Sequence, residues 1–158
     1  MKQDRFLTAI LAGIALLVVI SLVVFFVRQG AQSYQPEDTP EGVVHNYLLA
    51  LERGEYERAY GYLAEGEGKP AYETFRRDLA HNGRSADTGV QIGETEFRGE
   101  QAFVTLWLVY GPADPFSGAY RNQSLAVLQR QGDVWRLLQM PYEFWGYEWY
   151  AGQSFPQP

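Results

Sequence analysis

The sequence contains no cysteine and only two histidines in 158 residues. Disulfide bonds and a lipid-modified N-terminal cysteine are therefore excluded. The histidines, His45 and His81, lie far apart, and no H-E-x-x-H or other paired ligand spacing exists, so the sequence predicts no metal site and no cofactor. No G-x-S-x-G surrounds a serine, and GEGKP at 66–70 lacks the spacing of a phosphate loop.

Long hydrophobic runs are also scarce, with one exception near the start of the chain. Residues 6–27, FLTAILAGIALLVVISLVVFFV, carry no charge, and no later segment repeats this run. As a helix that rises about 1.5 Å per residue it would be about 33 Å long, enough to cross a hydrocarbon core of about 30 Å. The sequence therefore predicts a single transmembrane helix within residues 1–28, with the lipid bilayer as its partner through residues 6–27.

The charges that flank this run predict its orientation. Lys2 and Arg5 precede the run, whereas only Arg28 follows it closely. By the positive-inside rule, this excess places residues 1–5 in the cytoplasm and the C-terminal domain outside it, at the cell membrane. A cleaved signal peptide is the alternative, but its apolar region would be only about 7–15 residues long.

The rest of the chain has the size and charge of one acidic domain. Residues 29–38 are polar and show no periodicity, so they are interpreted as a tether. From 34 to 158, ten lysine and arginine residues stand against eighteen aspartate and glutamate residues, a net charge of −8. Such a domain repels phosphate backbones, which argues against nucleic acid as a partner.

Three segments after the tether have apolar residues at helical spacing. The first begins at Thr39 and Pro40, a capping residue followed by a residue suited to the first turn. Its apolar residues recur until Gly54, and shorter segments with the same period begin at Tyr56 and Tyr72. The sequence thus predicts three helices in this part of the chain.

The hydrophobic period then changes to two, which predicts four antiparallel strands. They cover 88–98, 101–110, 121–131 and 134–140. Gly93 is predicted to form a bulge in the first strand. The second strand is apolar on both faces, so we expect it to be central, with Trp107 buried there and Trp135 buried in the last strand. Helices followed by strands predict an α+β domain with the helices against one face of the sheet.

Three sequence segments in this domain resemble motifs of a known family. They are TPEGVVHNYLLALERGEYERAYGYL, GEQAFVTLWLVY and QGDVWRLLQM. The first is similar to the opening helices, and the others to the central and final strands, of small bacterial domains of the nuclear transport factor 2-like superfamily. The resemblance assigns residues 39–141 to such a domain. It implies a cone-like fold in which a curved sheet wraps helices around an apolar pocket, with candidate pocket residues His45, Tyr47, Tyr60 and Trp107.

The C-terminal tail, residues 142–158, is rich in aromatic residues. Six occur within nine positions: Tyr142, Phe144, Trp145, Tyr147, Trp149 and Tyr150. These rings either cap the sheet, form a docking surface for a partner or ligand, or contact the membrane interface. We expect an intermediate arrangement, in which Phe144 and Trp145 pack inward while Tyr147, Trp149 and Tyr150 stay at least partly exposed.

These features favour a non-catalytic function. We expect a membrane-tethered domain outside the cytoplasm that binds a membrane-protein partner or a small apolar ligand, for example as an accessory subunit of a membrane complex. The alternative is a small cone-fold enzyme, an isomerase, dehydratase or hydrolase, that uses an acid or base in its pocket. Glu94, Glu96 and Asp114 are the carboxylates on or next to the strands that this alternative requires.

Overall fold

The computed structural model describes residues 5–29, 33–81, 88–111, 118 and 120–150, and within the first helix it describes the side chains of residues 10–24. The chain divides into two units, Met1–Ser33 and Tyr34–Pro158. The elements follow one another as one long helix, three shorter helices, four strands and one 3-10 turn.

The first unit contains a single helix, α1, over Arg5–Gln29. Eleven large apolar side chains lie between Ile10 and Val24, and each is between 44 % and 65 % exposed. Because they occur at nearly every position, they lie on all sides of the helix, and α1 has no polar face in this stretch.

Among the residues that the structure describes, no helix is both long and apolar enough to cross a membrane. The predicted single-pass transmembrane helix is therefore contradicted for this part of the chain.

The second unit begins with three helices. They are α2 (Pro40–Glu52), α3 (Tyr56–Gly61) and α4 (Tyr72–His81). The predicted start of α2 is confirmed, because the Thr39 hydroxyl accepts a hydrogen bond from the Gly42 N–H at 3.1 Å and Pro40 occupies the first turn. A Cβ on Gly42 would lie 2.1 Å from the Pro36 carbonyl oxygen, so glycine lets the preceding segment approach the helix closely.

Four antiparallel strands form one sheet in the order β1-β2-β3-β4. They are β1 (Thr88–Arg98), β2 (Gln101–Tyr110), β3 (Tyr120–Gln131) and β4 (Val134–Gln139). The predicted α+β class and the four-stranded antiparallel sheet are confirmed. The register of β1 against β2 shifts between Ile92 and Thr95, which confirms the bulge predicted at Gly93.

The outer edge of β4 is covered by the chain that follows α3. The Ala64 N–H donates to the Leu137 carbonyl, and the Leu137 N–H donates to the Tyr62 carbonyl, both at 2.8 Å. Leu63, between them, is fully buried. These bonds pair the polar backbone of an edge strand that would otherwise be open to other chains.

The two faces of β2 differ in burial. Ala102, Val104, Leu106 and Leu108 on one face are at most 1 % exposed and belong to the same core as α2. On the other face, Trp107 is 39 % exposed, so its predicted burial is wrong, whereas Trp135 in β4 is 7 % exposed and its predicted burial is confirmed. The strand partners of Trp107 are Gln91 and Gln123, and glutamines do not build an apolar cover over the ring.

Candidate functional site

The aromatic segment 142–150 follows β4 and opens with the 3-10 turn Tyr142–Phe144. Four of its rings are at most 6 % exposed, namely Phe144, Trp145, Trp149 and Tyr150. Tyr142 and Tyr147 are 77 % and 98 % exposed. The expected inward packing of Phe144 and Trp145 and the exposure of Tyr147 are therefore confirmed, whereas the expected exposure of Trp149 and Tyr150 is wrong.

Trp149 is buried because both its aromatic ring and its indole N–H have partners on α4. The ring stacks on Phe75 with 5.1 Å between the ring centroids, and Nε1 donates a hydrogen bond to Asp78 at 3.1 Å. A Cβ on Gly146 would lie 2.1 Å from the Trp149 ring, so the chain can turn back over the indole only with glycine at that position. This glycine is a structural requirement that sequence reasoning did not identify.

Tyr150 is buried by contacts with the loop between α3 and α4. Its N–H donates to the Gly68 carbonyl at 3.0 Å, and its hydroxyl donates to the Ala64 carbonyl. A Cβ on Gly68 would lie 2.7 Å from the Tyr150 Cα, and Gly68 has a φ of +89°, so two requirements select glycine there. Burial raises the pKa of Tyr150, with a further contribution from Glu65, so this hydroxyl keeps its proton as a donor.

Two of the predicted pocket residues have their hydroxyls committed to the backbone. Tyr47 is fully buried and donates to the Phe144 carbonyl at 2.7 Å, and burial raises its pKa well above the ordinary value. Tyr60 donates to the Pro70 carbonyl at 2.9 Å. Both hydroxyls therefore hold the chain together, and their role in ligand binding stays a prediction.

Ring contacts connect these two tyrosines through the aromatic segment. The rings follow one another in contact as Tyr47, Trp145, Trp149, Phe75, Tyr60 and Tyr72. The other two pocket candidates have different surroundings: His45 is half-buried on α2, and Trp107 lies on the partly exposed face of β2. Aromatic rings thus pack against Tyr47 and Tyr60, in the region where the resemblance implied a pocket.

The two strand carboxylates that the structure describes lack the surroundings that an acid or base in a pocket needs. Glu94 and Glu96 are exposed. The Arg98 guanidinium, 2.9 Å from Glu96, lowers the pKa of that carboxyl, so Glu96 stays ionised, whereas a general acid near neutral pH needs a raised pKa. Asp114 lies outside the described residues. Within the part of the chain that the structure describes, no group of histidine, aspartate and glutamate side chains could hold a metal ion.

A polar group that the sequence did not suggest lies at the end of the β2–β3 pair. We call Tyr110, Tyr120, Tyr142 and Glu143 the tyrosine–glutamate cluster. Tyr110 is paired with Tyr120 across the strands, with ring centroids 6.1 Å apart, and its hydroxyl donates to Glu143 Oε1. This bond is the main cause of a raised pKa of Tyr110, to which burial and Tyr142 also contribute.

A second polar group fixes the start of the domain. We call it the N-terminal clamp: Tyr34, Gln35, Asn46, Glu55 and Arg58. The fully buried Asn46 side chain accepts from the Gln35 N–H at 2.7 Å and donates to the Gln35 carbonyl at 2.8 Å. The Arg58 guanidinium lies 3.3 Å from the centroid of the Tyr34 ring, whose hydroxyl donates to Glu55 at 2.6 Å. Residues 34 and 35, predicted as part of the tether, are thus bound to the helices.

Comparison with known proteins finds one distant structural match and no match by sequence. No protein-family model matches the chain, and no curated protein matches it. Among solved structures, a SEC-C motif containing protein from Rhodopseudomonas palustris matches with a TM-score of 0.46 and 7 % identity, over 65 % of this chain and 77 % of that chain. A likeness at this level carries no argument about function.

The predicted nuclear transport factor 2-like membership is corrected here, because no protein-family model, of that superfamily or any other, matches the chain. The physical reason lies in what the matching phrases encode. Thr39 caps a helix, Tyr47 donates a hydrogen bond to the Phe144 carbonyl, and Trp135 is a buried residue of the last strand. Caps and apolar positions of this kind serve packing in many folds, so they do not identify one family.

Proposed function

We propose that this chain is a non-catalytic binding domain held at a lipid bilayer by α1. The observation that carries the proposal is the surface of α1, on which every large apolar side chain from Ile10 to Val24 is at least 44 % exposed. Apolar surface in contact with water costs roughly 25 cal/mol per Å². A helix that is apolar all round is stable only where an apolar medium covers it, and lipid chains provide one.

Liposome flotation of the full chain tests the bilayer part of the proposal. The wild-type protein should float with neutral phosphatidylcholine vesicles in a sucrose gradient. The double variant Leu17→Arg/Ile20→Arg should stay at the bottom, because two charges in the middle of α1 oppose transfer into hydrocarbon. The matched control Leu17→Ile/Ile20→Leu should float like the wild type. Wild-type protein that stays at the bottom would overturn the bilayer part.

Binding is favoured over catalysis by how the polar side chains are used. The hydroxyls of Tyr47 and Tyr60 serve backbone carbonyls, and Glu96 is paired with Arg98. By contrast, the aromatic segment leaves Tyr147 fully open on a turn that buried rings hold in place. A rigidly supported, exposed aromatic side chain is typical of a protein–protein contact. These observations support an interaction domain, with an accessory role in a membrane complex as the specific form.

The side of the membrane on which the domain lies stays a prediction from the flanking charges. An alkaline phosphatase reporter fused after Pro158 is active only outside the cytoplasm. The excess of Lys2 and Arg5 over Arg28 predicts activity of this fusion. Activity of a cytoplasmic reporter at the same position would contradict the predicted orientation.

A further inference from the structure

The tyrosine–glutamate cluster contains a hydrogen-bond acceptor that nothing in the described chain uses. Glu143 Oε1 accepts from the Tyr110 hydroxyl, but Glu143 Oε2 is buried and has no hydrogen-bond partner among the described residues. A carboxylate oxygen removed from water without a donor is costly, and such atoms commonly mark the place of an absent water, ion or ligand. A hydrogen-bond donor at this oxygen would remove that cost, and a charged donor forms the strongest hydrogen bond with a carboxylate.

Two exposed aromatic rings belong to the same cluster. Tyr120 is 67 % exposed and in ring contact with Tyr110, and Tyr142 directly precedes Glu143 in the 3-10 turn. The faces of tyrosine rings attract cations. Glu143 is only partly buried as a residue and follows the exposed Tyr142. Exposed side chains change rotamer within nanoseconds, and such a change at this surface would open Oε2 to a donor.

The N-terminal clamp shows which cation suits this combination. There, the Arg58 guanidinium lies over the Tyr34 ring, and one of its nitrogens is 4.0 Å from the carboxylate of Glu37, a residue next to the clamp. The chain therefore already combines tyrosine and glutamate with a guanidinium in one place. The tyrosine–glutamate cluster likewise has tyrosine rings and a carboxylate. No guanidinium of the described residues donates to Glu143 Oε2.

We infer that the tyrosine–glutamate cluster binds the guanidinium group of an incoming ligand, which stacks on Tyr120 or Tyr142 and donates to Glu143 Oε2. A planar guanidinium meets both demands at once, because its face stacks on an aromatic ring while its edge donates to a carboxylate. The net charge of −8 over residues 34–158 attracts such a cation from solution. The inference deepens the proposed binding function and rests on it.

The test uses the full chain in uncharged detergent micelles, with amide chemical shifts of residues 120, 142 and 143 as the readout. One titrant is the peptide acetyl-Gly-Arg-Gly-amide, which represents an arginine of a protein partner. A second is agmatine, a small guanidinium compound. The control peptide carries citrulline, a neutral isostere of arginine. We expect saturable shifts with a guanidinium and affinity for the citrulline peptide at least about tenfold lower. The tighter of the two guanidinium ligands identifies the source.

Variants then assign the binding to the cluster. Glu143→Gln keeps an acceptor for Tyr110 but removes the charge, so it should lower the affinity for the arginine peptide about tenfold or more. Tyr120→Leu, at an exposed position, should lower the affinity without loss of folding. Tyr147→Leu, an exposed tyrosine outside the cluster, should leave it unchanged. Equal binding of the citrulline peptide, unchanged affinity of Glu143→Gln, or no saturable shift would each overturn the inference.

The two tests fail independently. A chain that floats with vesicles but ignores guanidinium ligands would contradict only the cluster's role. A chain that binds the arginine peptide but does not float would contradict only the bilayer part of the proposed function.

Discussion

Trp149 and Tyr147 lie two positions apart in the same aromatic segment, yet one is buried and the other is almost completely exposed. Their immediate neighbours do not explain the difference, because both flank Glu148 in a stretch where aromatic residues are interspersed with glycine and glutamate. Trp149 has Phe75 to stack on and Asp78 to accept from its indole N–H. Burial in this segment therefore depends on partners more than sixty residues away, and Tyr147, for which the structure shows no such partner among the described residues, is left exposed.

The largest effect is expected from Trp149→Ala. The change removes a stacked ring from the core and leaves Asp78 without its donor, so the free energy of unfolding should fall by about 3–5 kcal/mol. Urea unfolding of the full chain in mild detergent, followed by circular dichroism, measures it. An unchanged unfolding midpoint would mean that the buried half of the segment does not support the domain.

A smaller loss is expected from Gly146→Ala, which tests the turn between the two rings. The new Cβ would meet the Trp149 ring at 2.1 Å, so the indole must move and the free energy of unfolding should fall by about 1–3 kcal/mol. The matched control is Gly61→Ala at the end of α3, where a Cβ meets nothing within 4 Å. If both variants unfold at the same urea concentration, the close approach at Gly146 is not present in solution.

Tyr47→Phe tests the hydrogen bond that holds the buried half of the segment to α2. Without the hydroxyl, the Phe144 carbonyl loses its donor inside the core, which should lower the free energy of unfolding by about 1 kcal/mol or more. Tyr147→Phe, which removes an exposed hydroxyl from the same segment, is the matched control and should leave the value unchanged. A Tyr47→Phe chain as stable as this control would show that the Phe144 carbonyl finds another donor.

The smallest effect on stability is expected from Tyr147→Ala, within about 0.5 kcal/mol, because an exposed side chain contributes little to folding. Its effect should lie in association instead. A photo-crosslinking residue at position 147 should give a discrete product of higher mass in native membranes. The same residue at the exposed position 67 should give none. Equal crosslinked products at positions 147 and 67 would show that Tyr147 is not a specific contact.

Features set by neighbouring residues were predicted from the sequence. The cap at Thr39 depends on a hydrogen bond to Gly42, three residues away, and the bulge at Gly93 on a change of phase within one strand. The bounds of β2, 101–110, agree with the prediction because alternation and a Gly-Glu turn define them. These local signals also gave the α+β class and the number of strands.

Several features set by distant residues were not predicted. Trp107 belongs to a strand that is apolar on both faces, but its exposure follows from the glutamines that the register places beside it. The tyrosine–glutamate cluster requires Tyr110 to be paired with Tyr120, and the segment 111–119 has no short turn signature that would fix this register. The need for glycine at positions 68 and 146 was likewise not predicted, because it depends on the close approach of Tyr150 and Trp149.

The N-terminal clamp also has a mechanical consequence. Any pull on the chain from its N-terminal side reaches the domain first at Tyr34, which contacts Glu55 and Arg58, and then at Gln35. There, two hydrogen bonds of 2.7 Å and 2.8 Å join Gln35 to the buried Asn46 side chain. The two bonds carry the load in parallel and must break together, so the segment resists being peeled away residue by residue. At Gln35 the load thus enters the domain in the middle of α2, where Asn46 lies, and not at the helix cap of Thr39.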